Sequence, residues 1–271
     1  MDRRPSGPSR HAGHRTAHMP SLLSAAGPVV GLVAPTDADL DAAARLLASS
    51  VPVGCNGTVA YHANGFRAFL AAALTPPPGL RTVLLRGVHV DGRLVAVADW
   101  RLVPPALHLN GIAVDPATRG VGLGGTLLAD GLALARELGC DRALLDVSRD
   151  NPGARRLYLH AGFADVSHTT WTEVTPAPGG GGVRALDWPA FAAHRAAYGF
   201  GDLRVRVGPH SATLRVVGTV LRAPAGPLGG ILAGGLAGLL GTSRAYAIEE
   251  GTGPAGFAAF ARMSRPVPPA A

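Results

Sequence analysis

The sequence predicts an α+β (α/β) protein: a mixed, mostly antiparallel central sheet flanked by helices, with a smaller C-terminal α+β unit. Three observations predict it. Strand-like apolar runs alternate with helix-period segments through the first 175 residues. Asp91-Gly92 sits between two apolar runs, the strongest short signal for a hairpin and so for antiparallel pairing. The run Thr175-Pro176-Ala177-Pro178-Gly179-Gly180-Gly181-Gly182 then separates off a second, shorter set of strands and helices.

Taken in order, residues 1–27 are rich in Arg, His, Pro and Ser and read as a disordered basic tail. Arg3-Arg4 is followed by Pro5-Ser6-Gly7-Pro8 and not by an apolar region, so no export signal is read there. The main domain is placed at 28–175. Val29 to Val33 reads as a strand, and Thr36 as the N-cap of a helix with Asp37 and Asp39 in its first turn. A second helix is expected from Gly65 to Leu74, ended by Pro76-Pro77-Pro78. Strands follow at Thr82–Val90, Arg93–Leu102 and Leu107–Val114, then a helix at Leu123–Leu138 and a buried strand at Ala143–Val147. Pro152 opens a short helix that stops at Ala161-Gly162-Phe163 and leads into another strand. A linker at 176–184 is expected to precede the C-terminal unit at 185–271. In that unit Leu203–Val207 and Thr213–Val220 read as a hairpin, Leu228–Leu240 as an apolar helix, Ala245–Glu249 as a strand and Phe257–Met263 as a short helix.

Composition narrows the function. The chain has 271 residues, 47% hydrophobic and 16% charged, enough apolar matter for a sizeable core. The net charge is +7, carried by arginine with no lysine, which suits anionic ligands. Cys55 and Cys140 are the only cysteines and have no metal spacing, so neither a metal nor a disulfide framework is expected. A reducing cytoplasm fits.

The segment Val114-Asp115-Pro116-Ala117-Thr118-Arg119-Gly120-Val121-Gly122-Leu123-Gly124-Gly125 carries the chemistry. It joins an apolar strand to an amphipathic helix. Glycines let the backbone approach a ligand, and the first N–H groups of a helix point at it with a favourable dipole. That is a site for a phosphate or pyrophosphate. Gly120, Gly122 and Gly125 match G-x-G-x-x-G, but Asp115 to Arg119 intervene after the strand and the turn follows a hairpin. Both features disfavour a dinucleotide fold.

The string Val114-x-Pro116-x-x-Arg119-Gly120-x-Gly122-x-Gly124 resembles the acetyl-CoA-binding motif of the GNAT superfamily of acyltransferases. A second block, Asn151-Pro152-Gly153-Ala154-Arg155-Arg156-Leu157-Tyr158-Leu159-His160-Ala161-Gly162-Phe163, resembles that family's N-x-x-A-x-x-L-Y-x-x-x-G-F segment. The resemblance covers roughly residues 30–175. It implies an acetyl-CoA-dependent N-acetyltransferase with acetyl-CoA as co-substrate. Backbone N–H groups of Arg119, Gly120, Val121, Gly122, Leu123, Gly124 and Gly125 would hold the pyrophosphate. Ile112, Ala113 and Val114 would pair with the pantetheine arm, and one N–H there would polarise the thioester carbonyl. Tyr158 would protonate the departing thiolate. Asn151 would either cap its helix or touch the pantetheine.

For the base, His108 is the candidate, since two-residue alternation puts it on one face with Asn110, Ile112 and Val114. Acceptor specificity is expected from Val51 to Leu74, with Tyr61, His62, Phe66 and Arg67. No Asp or Glu occurs from Ala42 to Val90, which argues against a polycationic acceptor. The acceptor is a small-molecule or protein amine. No specific nucleic-acid motif and no membrane span is read, and a homodimer is open to it. A catalytically silent acyl-CoA-binding sensor is the alternative. Gly230, Gly234 and Gly238 recur every four residues and suggest a helix packed tightly against a neighbour. The C-terminal unit reads as a degenerate half-repeat that lacks the Arg-x-x-Gly-x-Gly turn, so no second CoA site is expected.

Overall fold

A computed structural model describes residues 29–178, 181–251 and 256–269. The basic tail expected over 1–27 lies outside the described residues. Twelve strands form one sheet in the order β1-β2-β3-β4-β5-β12-β6-β11-β10-β9-β8-β7.

The first half runs β1 (Val30–Leu32), α1 (Asp37–Ser49), α2 (Phe66–Ala73), β2 (Val83–Val90), β3 (Arg93–Val103), β4 (Ala106–Val114), α3 (Leu123–Glu137), β5 (Arg142–Ser148), α4 (Pro152–His160) and β6 (Ala164–Glu173). The second runs β7 (Val183–Ala185), α5 (Trp188–Tyr198), β8 (Phe200–Val207), β9 (His210–Val217), β10 (Val220–Arg222), α6 (Pro227–Leu240), β11 (Arg244–Glu250) and β12 (Ala258–Pro266).

Local chemistry sets these boundaries. The Thr36 side chain accepts from Asp39 N at 3.2 Å and caps α1, which buries Leu40, Ala43 and Leu47 at helical spacing. Asp91 and Gly92 both take positive φ at the β2–β3 turn, the conformation an Asp-Gly hairpin needs. α3 lies so close to β3 that a Cβ on Gly131 would sit 2.0 Å from the Trp100 ring.

The two halves are related. In each, the first four strands are antiparallel neighbours and the fourth pairs parallel with the fifth: β4 with β5, and β10 with β11. At the centre the halves exchange strands. β12 pairs with β5 of the first half, and β6 pairs with β11 of the second. β6 and β12 pair antiparallel with each other.

Three expectations for the C-terminal part need correction. Phe257–Met263 is not a helix: Ala258–Pro266 is strand β12. Ala261 and Met263 alternate into the core while Arg262 faces Asp146, and two open edges, on β5 and β6, draw the segment into extended form. Trp188–Tyr198, left without an element in the sequence reading, is helix α5. Val183 and Arg184, expected within the linker, pair with β8 together with Ala185.

The glycine repeat of α6 packs against a strap of chain, not a helix. Ala177 N donates to Gly230 O at 2.9 Å, and a Cβ on Gly234 would lie 2.0 Å from Ala177 O. Gly238 has open space. No helix among the described residues is long and apolar enough to cross a membrane.

Candidate active site

The site lies where β4 leaves β5. The parallel pairing runs only from Ala106 to Leu109, although β4 continues to Val114. On its other edge β4 stays paired with β3 as far as Val114, and Asp115 N donates to Val95 O at 2.8 Å. Backbone polar groups alternate sides along a strand. The N–H groups of Ile112 and Val114 therefore face the gap beside β5. Asp115 N points to β3, so two residues earlier Ala113 N points there too and offers the gap no N–H. Of the expected trio Ile112, Ala113 and Val114, the outer two present their N–H groups to the gap.

The glycine turn closes one end of that gap. Gly120 and Gly122 have φ of 86°, a left-handed backbone that favours glycine. Gly122 is the N-cap of α3, without a side-chain cap and with no acidic residue in the first turn. The opening N–H groups of a fifteen-residue helix thus lack an intrahelical partner. Arg119, Gly120, Val121 and Gly122 are exposed, and a Cβ on Gly120, Gly122 or Gly125 would meet nothing within 4 Å. Arg119 is held over the mouth by Nε, which donates to Val114 O at 3.2 Å. Open space, free donors and an arginine without competing carboxylates fit a pyrophosphate. Leu123 is buried in the core and anchors the helix, whereas Gly124 lies against α4, its Cβ position 3.1 Å from Leu157.

α4 borders the gap from the β5 side. Asn151 caps it: Oδ1 accepts from Ala154 N at 3.0 Å. One of the two roles weighed for Asn151 is therefore structural. Tyr158, 6% exposed, packs edge-on against Phe163 with ring centres 6.1 Å apart. Burial pushes its phenol up to about 12. Tyr158 thus holds its proton throughout the physiological range.

The face expected for His108 needs correction. The β3–β4 register shifts between Asp99 and Trp100, so Asn110 is an extra residue on β4. Past that bulge the alternation flips. His108 lies opposite Arg101, whereas Ile112 and Val114 lie opposite Ala98 and Ala96, which belong to the core under α3. His108 shares the other face, that of α1 and α2, with Asn110. Its Nε2 is 3.5 Å from Asp146 Oδ2, an ion-pair distance without hydrogen-bond geometry. Burial pushes the Asp146 carboxyl up, but the adjacent His108 and Arg262 outweigh it and bring it to about 2.

The bulge also carries a polar cluster that the sequence reading missed. Asp99, fully buried on β3, accepts from Tyr61 (2.9 Å), Arg101 (2.7 Å) and Asn110 (3.0 Å). Asn110 Nδ2 also donates to Tyr61 Oη at 2.8 Å. Gly111 makes room for this, since its Cβ would lie 2.5 Å from the Tyr61 hydroxyl. Burial and the Asp99 charge push the Tyr61 phenol well above its ordinary value. Of the other residues expected at the acceptor side, Phe66 is buried against Tyr61, and Arg67 is tied to Asp37 and Asp41. His62 ties the loop together, accepting from Gly57 N at Nδ1. An aspartate in an apolar strand has no local motif; only the register beside a bulge could have revealed it.

The second half pairs its parallel strands differently. β10 is three residues long and pairs with β11 along all of them. Among the described residues no group of three or more His, Cys, Asp or Glu could hold a metal.

A mixed sheet whose parallel strands part beside a glycine-opened helix is the frame of the site. The family model described as Acetyltransferase (GNAT) family matches residues 53–163, which hold β4, the glycine turn, β5 and α4. Over those residues the chain resembles the GNAT acetyltransferases. A 61-residue stretch is 44% identical to a mycothiol acetyltransferase of Thermobispora bispora; the match covers 22% of this chain and spans only 19% of that protein. Among solved structures, a tandem GNAT protein from the clavulanic acid biosynthesis pathway superposes with a TM-score of 0.63 at 12% identity, over 90% of this chain and 100% of the other. A putative acetyltransferase from Pyrococcus horikoshii gives 0.59 at 15% identity, over 92% and 93%. These two likenesses concern the fold and extend it over both halves.

Proposed function

We propose that the protein is an acetyl-CoA-dependent N-acetyltransferase that passes the acetyl group directly to an amine, without a metal. The observation that carries this reading is the unpaired edge of β4 beside the glycine turn. The N–H groups of Arg119 to Gly125 hold the pyrophosphate, helped by the α3 dipole and the Arg119 guanidinium. Ile112 and Val114 bind the pantetheine arm as an added strand would, and an N–H there polarises the carbonyl where charge develops. Bound acetyl-CoA supplies the activated thioester.

His108 accepts the proton that the amine loses as its nitrogen bonds the acyl carbon. Tyr158 donates its proton to the sulfur as the carbon–sulfur bond breaks. Asp146 orients His108 and keeps a negative charge beside the imidazolium that forms. The acceptor is a small molecule or a protein amine, and the buried free thiols Cys55 and Cys140 suit a reducing cytoplasm.

The test is turnover of acetyl-CoA, read as free thiol, with a panel of amines. Amine-dependent thiol release that Tyr158→Phe suppresses supports the reading. Binding of acetyl-CoA without release for any amine would overturn it and leave a sensor.

A further inference from the structure

A cavity of about 480 Å³ opens on the face of α1 and α2 at Asn110, the residue where β4 leaves β5. Both halves build it. The first half contributes Phe66 and Phe69 from α2, Arg101 from β3 and Asn110 from β4. The second contributes Phe191 and His194 from α5, Phe200 and Asp202 from β8, and Arg215 from β9. The size suits a molecule of one or two rings.

Its walls are aromatic. Phe69 contacts Phe66 and Phe200 with ring centres 5.9 and 5.3 Å apart, and the Arg101 guanidinium lies over Phe69 at 5.3 Å. Its charges are uneven in what they leave available. Asp202 is clamped by Arg215 at 2.7 and 2.6 Å. Asp187, also on the lining, accepts from Arg204 N and Nε at 2.9 and 2.8 Å. Asp99 behind the lining already holds three donors. Of these three carboxylates only Asp99 keeps an oxygen without a partner, Oδ1, and that atom is buried behind the lining, out of a polyamine's reach. Arg101 differs: Nη2 is committed to Asp99, while Nε is buried with no partner. The rest of its guanidinium, on a side chain 19% exposed and on the cavity lining, is left for an oxygen of a ligand.

We propose that this cavity seats the acceptor, and that the acceptor is an amine on an aromatic or apolar body bearing one carboxylate, the chemistry of an aromatic amino acid. Its ring stacks among Phe66, Phe69 and Phe200, its carboxylate pairs with Arg101, and its amine points past Asn110 toward the gap. This rests on the acetyltransferase reading only in calling the occupant an acceptor. It also gives the second half a role, as one wall of the site.

Calorimetric titration with L-phenylalanine, 2-phenylethylamine and spermidine, each with and without saturating CoA, tests it on the full chain. Phenylalanine is expected to bind at least tenfold more tightly than phenylethylamine, and spermidine more weakly than either. Ala190→Trp, at an exposed α5 position on the lining, is expected to weaken phenylalanine tenfold or more and leave acetyl-CoA binding unchanged. Arg101→Gln should erase the advantage of phenylalanine over phenylethylamine. Equal binding of those two, no binding of either, tighter spermidine, or indifference to Ala190→Trp would overturn the proposal. Loss of acetyl-CoA binding alone would overturn the functional reading and leave this cavity standing.

Discussion

Tyr61 donates its hydroxyl to Asp99 Oδ2 over 2.9 Å, tying the chain between α1 and α2 to the strand beside the β4 bulge. The carboxylate is fully buried, and Arg101 supplies the balancing charge at 2.7 Å. Removing one partner of such a pair leaves an uncompensated buried group. Asp99→Asn is therefore expected to cost about 3–5 kcal/mol and Tyr61→Phe about 1–3 kcal/mol. Urea denaturation of the two variants checks the order; equal, negligible losses would mean the cluster does not hold the site together.

Tyr158 has only proton donation to lose on becoming phenylalanine, because its ring is packed in the core. Tyr158→Phe should lower kcat by roughly 10²–10⁴-fold with little change in KM for acetyl-CoA. With the phenol at about 12, the wild-type rate should not fall between pH 8 and 10 through loss of this acid. Steady-state kinetics over that range reads both effects.

Asp146 links the site to β12, because Arg262 holds it with two bonds of 2.9 Å. Its folded-state carboxyl, at about 2, lies below the ordinary value near 3.9 of an unfolded chain. Its contribution to stability is then fully present above about pH 4 and is lost as pH falls through about 2. Urea midpoints at pH 5 and pH 3 should drop less in Asp146→Asn than in the wild type. An identical drop would show that the carboxylate is not held ionised by the fold.

The strap across α6 gives a packing test. Gly234→Ala places a methyl 2.0 Å from Ala177 O, where backbone on both sides must shift. A loss of about 1–3 kcal/mol is expected, read as a lowered melting temperature. Gly238→Ala, in open space, should instead be neutral or stabilising.

The order of elements up to β6 was legible because each boundary has its own local chemistry: Thr36 at a cap, Asp91-Gly92 at a hairpin, Pro152 at a helix start. The glycine turn was legible for the same reason. What escaped depends on partners distant in the chain. Strand β12 is made extended by β5 and β6, more than eighty residues before it. The face of His108 was misread because one extra residue at Asn110 reverses the alternation. The acceptor side was read as free of acid from Ala42 to Val90, and Asp187 and Asp202 arrive there from beyond the linker. Each of the two is paired with an arginine.

The most direct measurement is calorimetric titration of acetyl-CoA into the wild-type protein and Arg119→Glu, with NAD as a control. Micromolar binding of acetyl-CoA is expected, weakened about tenfold or more by the charge reversal at the mouth of the turn, with no binding of NAD. No acetyl-CoA binding, or tighter binding of NAD, would contradict it, since the free edge of β4 and the glycine turn would then serve some other ligand.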